Sequence, residues 1–451
     1  MSLPSENAGQ VPHTQWEVLD FAPAFYGFWE GEGEFHLSLY LLAHRLNRAK
    51  LIIDHMRVLF LSNEQFLPLS GGGSVGNYHL VRKLVERGHE VTVATPIYLG
   101  SEEVRRVEME NNIVLKPFSP FYLHRNISLR GPKYVLYGFL YTFHLLRLLL
   151  SGRYDVVFVR NCLLAFPALL LRPLAKCFYA LSMTDFLTGF LHNNKSYPAK
   201  AVELLFKMER STARHFDIVY VITPEMKRML AAAGCHASKV HVSHDGVDTA
   251  LFDPSKVDEK EVNDIRWKVG LEKRIVLFHG TVDGHAKEKL AEIIRGVTSR
   301  SEDMVFILLG QGKKYEELRS ELESDRVMFP GYVPHEEIPK YALAADIGII
   351  PYEHTFNSNI IITLKLLEYL AMGLPVVSTN LKSIDELFGA YEFVRLSPTT
   401  EDFIEKVLSA GFQEKSGEAV NYIKELYSWD KVTSRMVDAL EEKYGKEVDV
   451  V

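Results

Sequence analysis

The sequence predicts an α/β protein made of two doubly wound parallel-sheet domains with a cleft between them. Three observations carry this. Short β-rich runs alternate with helical patterns from Met56 onward, the signature of parallel β–α–β units. The alternation restarts after a connector that begins at Gly246 and runs through Pro254. The length of 451 residues, at 47% hydrophobic and 24% charged, suits two or three globular domains, each able to bury its own core.

Taken in order, residues 57–62 (RVLFLS) read as a buried strand, 74–87 as a helix ending at Gly88, and 90–94 (EVTVA) as the next strand. Further strands are expected at 155–159, 178–182 and 217–222, separated by helices. The second unit places strands at 274–278 (RIVLF), 304–309, 326–329, 347–350 and 376–378. A helical pattern at 429–444 is long enough to cross back over the first domain. The chain thus divides into an extension at 1–55, a first domain at 56–245 completed by 429–444, and a second domain at 246–428. Open α/β sheets bind ligands beyond the carboxyl ends of their strands, so the active site is expected in the cleft.

Cysteine usage and hydropathy narrow the setting. Cys162, Cys177 and Cys235 are odd in number and lack CxxC spacing, which argues against a disulfide framework and for a reducing, cytoplasmic compartment. No signal-like N-terminus and no long clean apolar run is visible, since the nearest candidate, 134–150, is broken by His144 and Arg147.

The net charge of −7 conceals an asymmetry: −4 over residues 1–55, +9 over 56–235 and −12 over 236–451. Residues 111–154 hold no Asp or Glu but carry Lys116, Arg125, Arg130, Lys133, Arg147 and Arg153 among nine aromatic side chains. Basic residues beside aromatic, Leu-rich helical segments suit a surface resting on anionic headgroups, with Arg125, Arg130, Lys133 and Arg147 as the membrane patch. The alternatives are an ordinary buried helix with solvated ends or a nucleic-acid contact, and no nucleic-acid partner is expected. The expected location is cytoplasmic, peripheral at the inner face of the membrane.

Within the extension, residues 26–35 (YGFWEGEGEF) resemble one copy of the LAGLIDADG homing-endonuclease motif. The segment is too short to hold that domain, so it reads as an extension or remnant.

Two constellations carry chemistry. Residues 71–76 (GGGSVG) satisfy GxGxxG, but eight residues separate them from the first strand and no acid closes the second, which argues against a dinucleotide site. What remains is a glycine loop at a helix N-terminus, whose free N–H groups suit an anion or a close-lying substrate. In 363–379 (TLKLLEYLAMGLPVVST), Lys365 and Glu368 lie three apart on one helical face. A carboxylate there can accept bonds from two vicinal ribose hydroxyls, and an ammonium beside it can neutralise a diphosphate. A surface ion pair between the two is the alternative.

Together with RVLFLSN…GGGSVGNYHLVRKLVERGHEVTVATP, VSHDGVDTALFDP, FILLGQGKKYEEL and VMFPGYVPHEEIPKYALAADIGIIPY, this sequence resembles the retaining nucleotide-sugar glycosyltransferases of the GT-B fold, from Met56 to about Tyr444. The resemblance implies that Glu368 binds the donor ribose. It also implies that Gly310, Gly312, Tyr332 and Val333 surround the base, and that Gly71, Gly72 and Gly73 face donor phosphate and acceptor. Asp245 and Asp248 match the start of the interdomain linker, and residues 427–429 (YSW) match the lead into the crossing helix.

Three positions depart from that pattern. Ile360 stands where the first glutamate of the usual pair belongs, so the sugar contact is expected from Asn357 or Asn359. Thr281, after Gly280, replaces an arginine, and Ala286 takes the place of a lysine whose role passes to Lys287. Thr184 precedes Asp185 where a histidine is usual.

The expected reaction moves a sugar from a nucleoside diphosphate sugar to a sugar, lipid-linked or other acceptor hydroxyl with retention, Asp185, Lys287 and Lys365 being the catalytic residues. With no Asp-x-Asp in the chain, no metal or further cofactor is expected. Alternatives on the same fold are a nucleotide-sugar 2-epimerase and a degenerate, non-catalytic partner protein.

Overall fold

The computed structural model describes residues 55–448 apart from 65, 68–71, 97–100, 119–131, 187, 193–197, 283 and 411–414; of 101, 132–135, 190, 192, 284, 285 and 448 it describes the backbone. Contacts divide the chain into residues 1–50 and 51–451, and every described residue belongs to the second unit. The LAGLIDADG-like stretch, Gly71, Arg125, Arg130 and the Lys133 side chain lie outside the described residues.

The first sheet is built from β1 (Arg57–Leu61), α1 (Gly72–Glu86), β2 (Glu90–Thr95), α2 (Ser101–Asn111), β3 (Val114–Pro117), α3 (Pro132–Ser151), β4 (Val156–Arg160), α4 (Cys162–Leu171), β5 (Phe178–Met183), α5 (Gly189–His192), α6 (Ala199–Thr212), β6 (Ile218–Val221), α7 (Pro224–Ala232) and β7 (Val240–Val242). All its strands are parallel, in the order β3-β2-β1-β4-β5-β6-β7. The central strands β4 (VVFVR) and β5 (FYALSM) are buried throughout, because helices cover both faces and erase the polar half of the strand period. Leu59, Val157, Leu181 and Val219 point to the face covered by α3, α4, α6 and α7. Their neighbours Val58, Phe158, Ala180 and Tyr220 point to the other, covered by α1 and α2.

The second sheet follows α8 (Glu259–Val269). It comprises β8 (Arg274–His279), α9 (Gly284–Thr298), β9 (Met304–Leu309), α10 (Lys313–Leu322), β10 (Val327–Gly331), α11 (Ile338–Ala344), β11 (Ile347–Ile350), α12 (Leu364–Ala371), β12 (Val376–Thr379), α13 (Lys382–Phe388), β13 (Val394–Ser397), α14 (Thr400–Leu408) and α15 (Gly417–Leu426). Its order, β10-β9-β8-β11-β12-β13, repeats the plan of the first. In each sheet the order reverses beside the first strand, at β1/β4 and at β8/β11, which opens a crevice at the carboxyl ends.

The last helix, α16 (Trp429–Val448), packs its Met436, Val437 and Leu440 into the core of the first sheet. Lys83 pairs with Asp430 (2.6 Å) and the Tyr220 hydroxyl donates to the Met436 carbonyl (2.8 Å). The two chain crossings between domains bond to each other, Val247 N–H to Tyr427 O and Trp429 N–H to Val247 O.

The edge strands β3, β7 and β13 are absent from the sequence expectation because each has only three or four residues and partly exposed side chains. Counting β3, the strand before Asp185 is the fifth. Helix α1 starts two residues earlier than expected, so Gly72 and Gly73 form its first turn instead of a loop. Cys162, Cys177 and Cys235 are free thiols. No helix among the described residues is long and apolar enough to cross a membrane.

Candidate active site

Strand β8 delivers His279 and then Gly280, whose φ of +112° lies in the region that favours glycine. Gly310, which follows β9, lies directly against it. A Cβ on Gly310 would stand 2.6 Å from the Gly280 carbonyl oxygen, so only glycine lets the two turns touch. The Gly310 N–H donates to Gly331 O (2.9 Å), tying in the edge that carries exposed Tyr332 and half-buried Val333; Gly312 opens α10.

Helix α12 projects Lys365 and Glu368 into the space before these turns. Both are buried, at 7% and 6% exposure, and they do not pair with each other, which removes the surface-ion-pair reading. Lys365 Nζ lies 4.3 Å from the centre of the Phe278 ring and 4.9 Å from that of Tyr352. It would lie 3.0 Å from a Cβ on Gly280. Among the described residues no carboxylate stands within ion-pair distance of it. Cation–π contact supplies about 0.5–2 kcal/mol, against a burial cost of several kcal/mol for an ammonium. The pocket is therefore short of one anion.

Glu368 is held from two sides. His335 Nε2 stands 2.7 Å from Oε1, and His279 Nε2 stands 3.1 Å from Oε2 but off the line of a hydrogen bond. Burial works to raise the Glu368 pKa, yet the two histidines outweigh it and hold the carboxyl at about 2. Burial lowers the His279 pKa, whereas the bond to Glu368 raises that of His335 against its own desolvation. The His335 side chain is 51% exposed and lies over the buried Glu368 carboxylate.

Lys287 does not join this group. Helix α9 turns it toward α10, where it pairs with Glu321 and lies 3.6 Å from Glu317. Lys289, two residues on and about 200° around the helix, instead reaches Thr379 Oγ1 (2.9 Å) and Tyr352 O (3.4 Å) at the carboxyl ends of β11 and β12. Sequence spacing alone does not mark which of the two lysines on α9 faces these strand ends.

The departure at Ile360 has a structural counterpart. Its side chain is buried in the apolar core of the first domain and its carbonyl accepts from Thr223 Oγ1 (2.6 Å), a setting hostile to a carboxylate. Asn359 is spent on its own loop and on α13, accepting from Lys382 N–H (3.2 Å) and donating to Thr355 O (2.8 Å). Asn357 differs. It is buried against Gly189 of the first domain, and among the described residues neither its amide nitrogen nor its amide oxygen has a hydrogen-bond partner.

Across the cleft, the first turn of α1 meets α12: a Cβ on Gly72 would lie 2.6 Å from Leu364 Cδ1. Gly73 admits the Glu64 carboxylate, which would collide with any Cβ there. Glu64 Oε1 accepts from Asn161 Nδ2 (3.2 Å), and Asn161 Oδ1 accepts from Thr184 Oγ1 (2.9 Å). Asn161 sits at φ +70°, ψ +155°, a strained conformation at the carboxyl end of β4. Beside them burial, then Glu64 and Glu209, raise the Asp185 pKa to about 7, and burial raises that of Asp245 to about 6 despite Arg160. Glu64, Asn161 and Arg160 escaped the sequence reading, although each falls at the carboxyl end of a predicted strand.

Comparison with known proteins gives the family and the fold. The Glycosyltransferase Family 4 model matches residues 70–251 and the Glycosyl transferases group 1 model residues 273–410. A teichuronic acid biosynthesis glycosyltransferase of Bacillus subtilis is 30% identical over 203 residues, 43% of this chain and 48% of the relative, so the match spans about half of that protein. The human phosphatidylinositol N-acetylglucosaminyltransferase component is 23% identical over 82% of this chain and 73% of its own. Among solved structures, Anabaena HepE in complex with UDP superposes with a TM-score of 0.61 at 14% identity, covering 86% of this chain and 100% of HepE. The two-sheet architecture is thus the GT-B fold.

Proposed function

The chain belongs to the GT-B nucleotide-sugar glycosyltransferases, and from that premise we propose that it transfers a sugar from a nucleoside diphosphate sugar to an acceptor hydroxyl carried by a glycan or lipid at a membrane surface. The observation that carries the reading is Lys365, a buried ammonium with no anionic partner among the described residues, placed before two touching glycine turns. A diphosphate supplies the missing anion. The N-termini of α12 and α1 meet at Leu364 and Gly72 and add their N–H groups. Glu368, ionised at any physiological pH, takes the two ribose hydroxyls as His335 swings aside.

In the reaction the bond between the anomeric carbon and the diphosphate oxygen breaks as the acceptor oxygen bonds to that carbon. Negative charge grows on the diphosphate, and Lys365 with the helix N-termini stabilises it. Asp185, whose pKa near 7 leaves it partly ionised at neutral pH, takes the proton that the acceptor hydroxyl gives up as its oxygen bonds to the anomeric carbon. Asn357 offers its unpaired amide to a sugar hydroxyl. Retention at the anomeric carbon rests on the likeness to retaining enzymes, and the positive charge the step needs comes from protein groups without a metal or further cofactor. The names of the relatives, one acting in teichuronic acid biosynthesis and one on phosphatidylinositol, favour a glycan or lipid acceptor.

A thermal-shift screen of nucleoside diphosphates and their sugars tests the reading. A ligand at 100 times its dissociation constant stabilises by about 2.7 kcal/mol. The expected result is a shift with one base; no shift with any of them contradicts the proposal.

A further inference from the structure

We propose that the outer surface of α3, α4 and α6 is a docking face for an anionic lipid bilayer. This deepens the reading of a membrane-presented acceptor and rests on it. Of sixteen large hydrophobic side chains exposed among the described residues, ten lie on these three helices and the turn after α4. On α3, Leu136, Phe139, Phe143 and Leu150 recur at helical spacing and form one stripe, with exposed Arg147 in line. Phe166 and Leu170 project from α4, followed by Leu174, and Leu204, Leu205 and Met208 from α6.

Helix α4 packs between α3 and α6, so the three stripes adjoin. The core of the first domain is already served by their inner faces, through Tyr141, Leu145, Leu164, Ala168 and Phe206. The outer side chains are surplus to folding, and a patch of this extent marks an interaction surface.

Charge selects the occupant. Residues 132–154, 162–176 and 199–215 carry nine Lys or Arg against two Glu, and of those two Glu209 is buried. Exposed Arg147, Arg153, Lys176, Lys200, Lys207 and Arg214 therefore meet little opposing charge. Apolar and aromatic side chains interleaved with cations match the boundary between acyl chains and anionic headgroups. A second copy docked by a twofold axis would bring like charges together.

The face also adjoins the site. Helix α4 starts at the carboxyl end of β4, immediately after Asn161, so the cleft opens at the edge of this surface. Helix α6 turns Glu209 inward, where its carboxylate accepts from Thr188 N–H (2.9 Å), and sets Phe206 edge-to-face against Phe356, the neighbour of Asn357, with ring centres 5.0 Å apart.

The test is flotation of the full chain with vesicles of phosphatidylcholine alone or mixed with phosphatidylglycerol, at low and high salt, for the wild type and for Phe143→Glu, Phe166→Glu and Lys207→Glu. These side chains are exposed, so the variants keep the fold, and the nucleotide thermal shift is measured on each. Expected are binding to the anionic vesicles that weakens with salt, and at least tenfold weaker binding in each variant with the nucleotide shift unchanged. Wild-type protein that ignores anionic vesicles, or variants that bind like the wild type, would overturn the proposal. Concentration-dependent self-association abolished by Phe166→Glu would assign the face to a second copy and overturn it as well. Loss of the nucleotide shift in the wild type would instead count against the donor reading, which separates the two failures.

Discussion

Replacing Glu368 by Gln removes the charge that His279 and His335 both face. The wild-type carboxyl moves from 4.5 to about 2 on folding, and each pKa unit corresponds to about 1.4 kcal/mol, so the charge contributes about 3 kcal/mol at neutral pH. The folded value lies below the unfolded one. The stabilisation is therefore complete above pH 4.5 and is lost as pH falls toward 2. Because a Gln amide keeps a neutral hydrogen bond to His335, the observed loss is expected at about 2–3 kcal/mol. Urea unfolding of both proteins at pH 7, 4.5 and 3 measures it. The gap should narrow by about 1.4 kcal/mol per pH unit below 4.5. A loss under about 1 kcal/mol at pH 7, or a gap of equal size at pH 7 and pH 3, would refute the assignment of Glu368 as the ionised partner of the two histidines.

Asp185→Asn should flatten the pH dependence of stability: burial and then Glu64 raise the folded pKa from 3.8 to about 7, so the wild type loses stability as pH rises through that interval, by up to about 4 kcal/mol, and melting curves from pH 4 to 8 read the difference. Gly310→Ala should weaken nucleotide binding at least tenfold, because the new Cβ must push the Gly280 carbonyl from 2.6 Å, and calorimetry with the preferred nucleoside diphosphate measures that. Lys287→Ala should leave nucleotide binding unchanged, since its ammonium faces Glu321 on the far side of α9.

The two-sheet plan was legible because the central strands are long apolar runs, while β3, β7 and β13 were not, being short and half-exposed. Lys365 and Glu368 could be found from their spacing on one helix, a local property. Their partners could not, because His279 and His335 reach Glu368 from two other elements and only the fold brings them together. Lys287 and Lys289 show the same limit in reverse: two residues on a helix face opposite ways, and the sequence does not mark which faces the cleft. The basic patch was visible in residues 111–154 as a charge run. That it continues across α4 and α6 depends on packing of helices distant in sequence.

The central claim is that Lys365 receives the diphosphate of a nucleotide-sugar donor. Calorimetric titration of the preferred nucleoside diphosphate into the wild type and Lys365→Ala tests it most directly. Saturable binding to the wild type, weakened at least tenfold in the variant as expected for a lost charge-assisted bond of about 1.5–3 kcal/mol, is the predicted result. Equal affinity for both proteins would contradict the account.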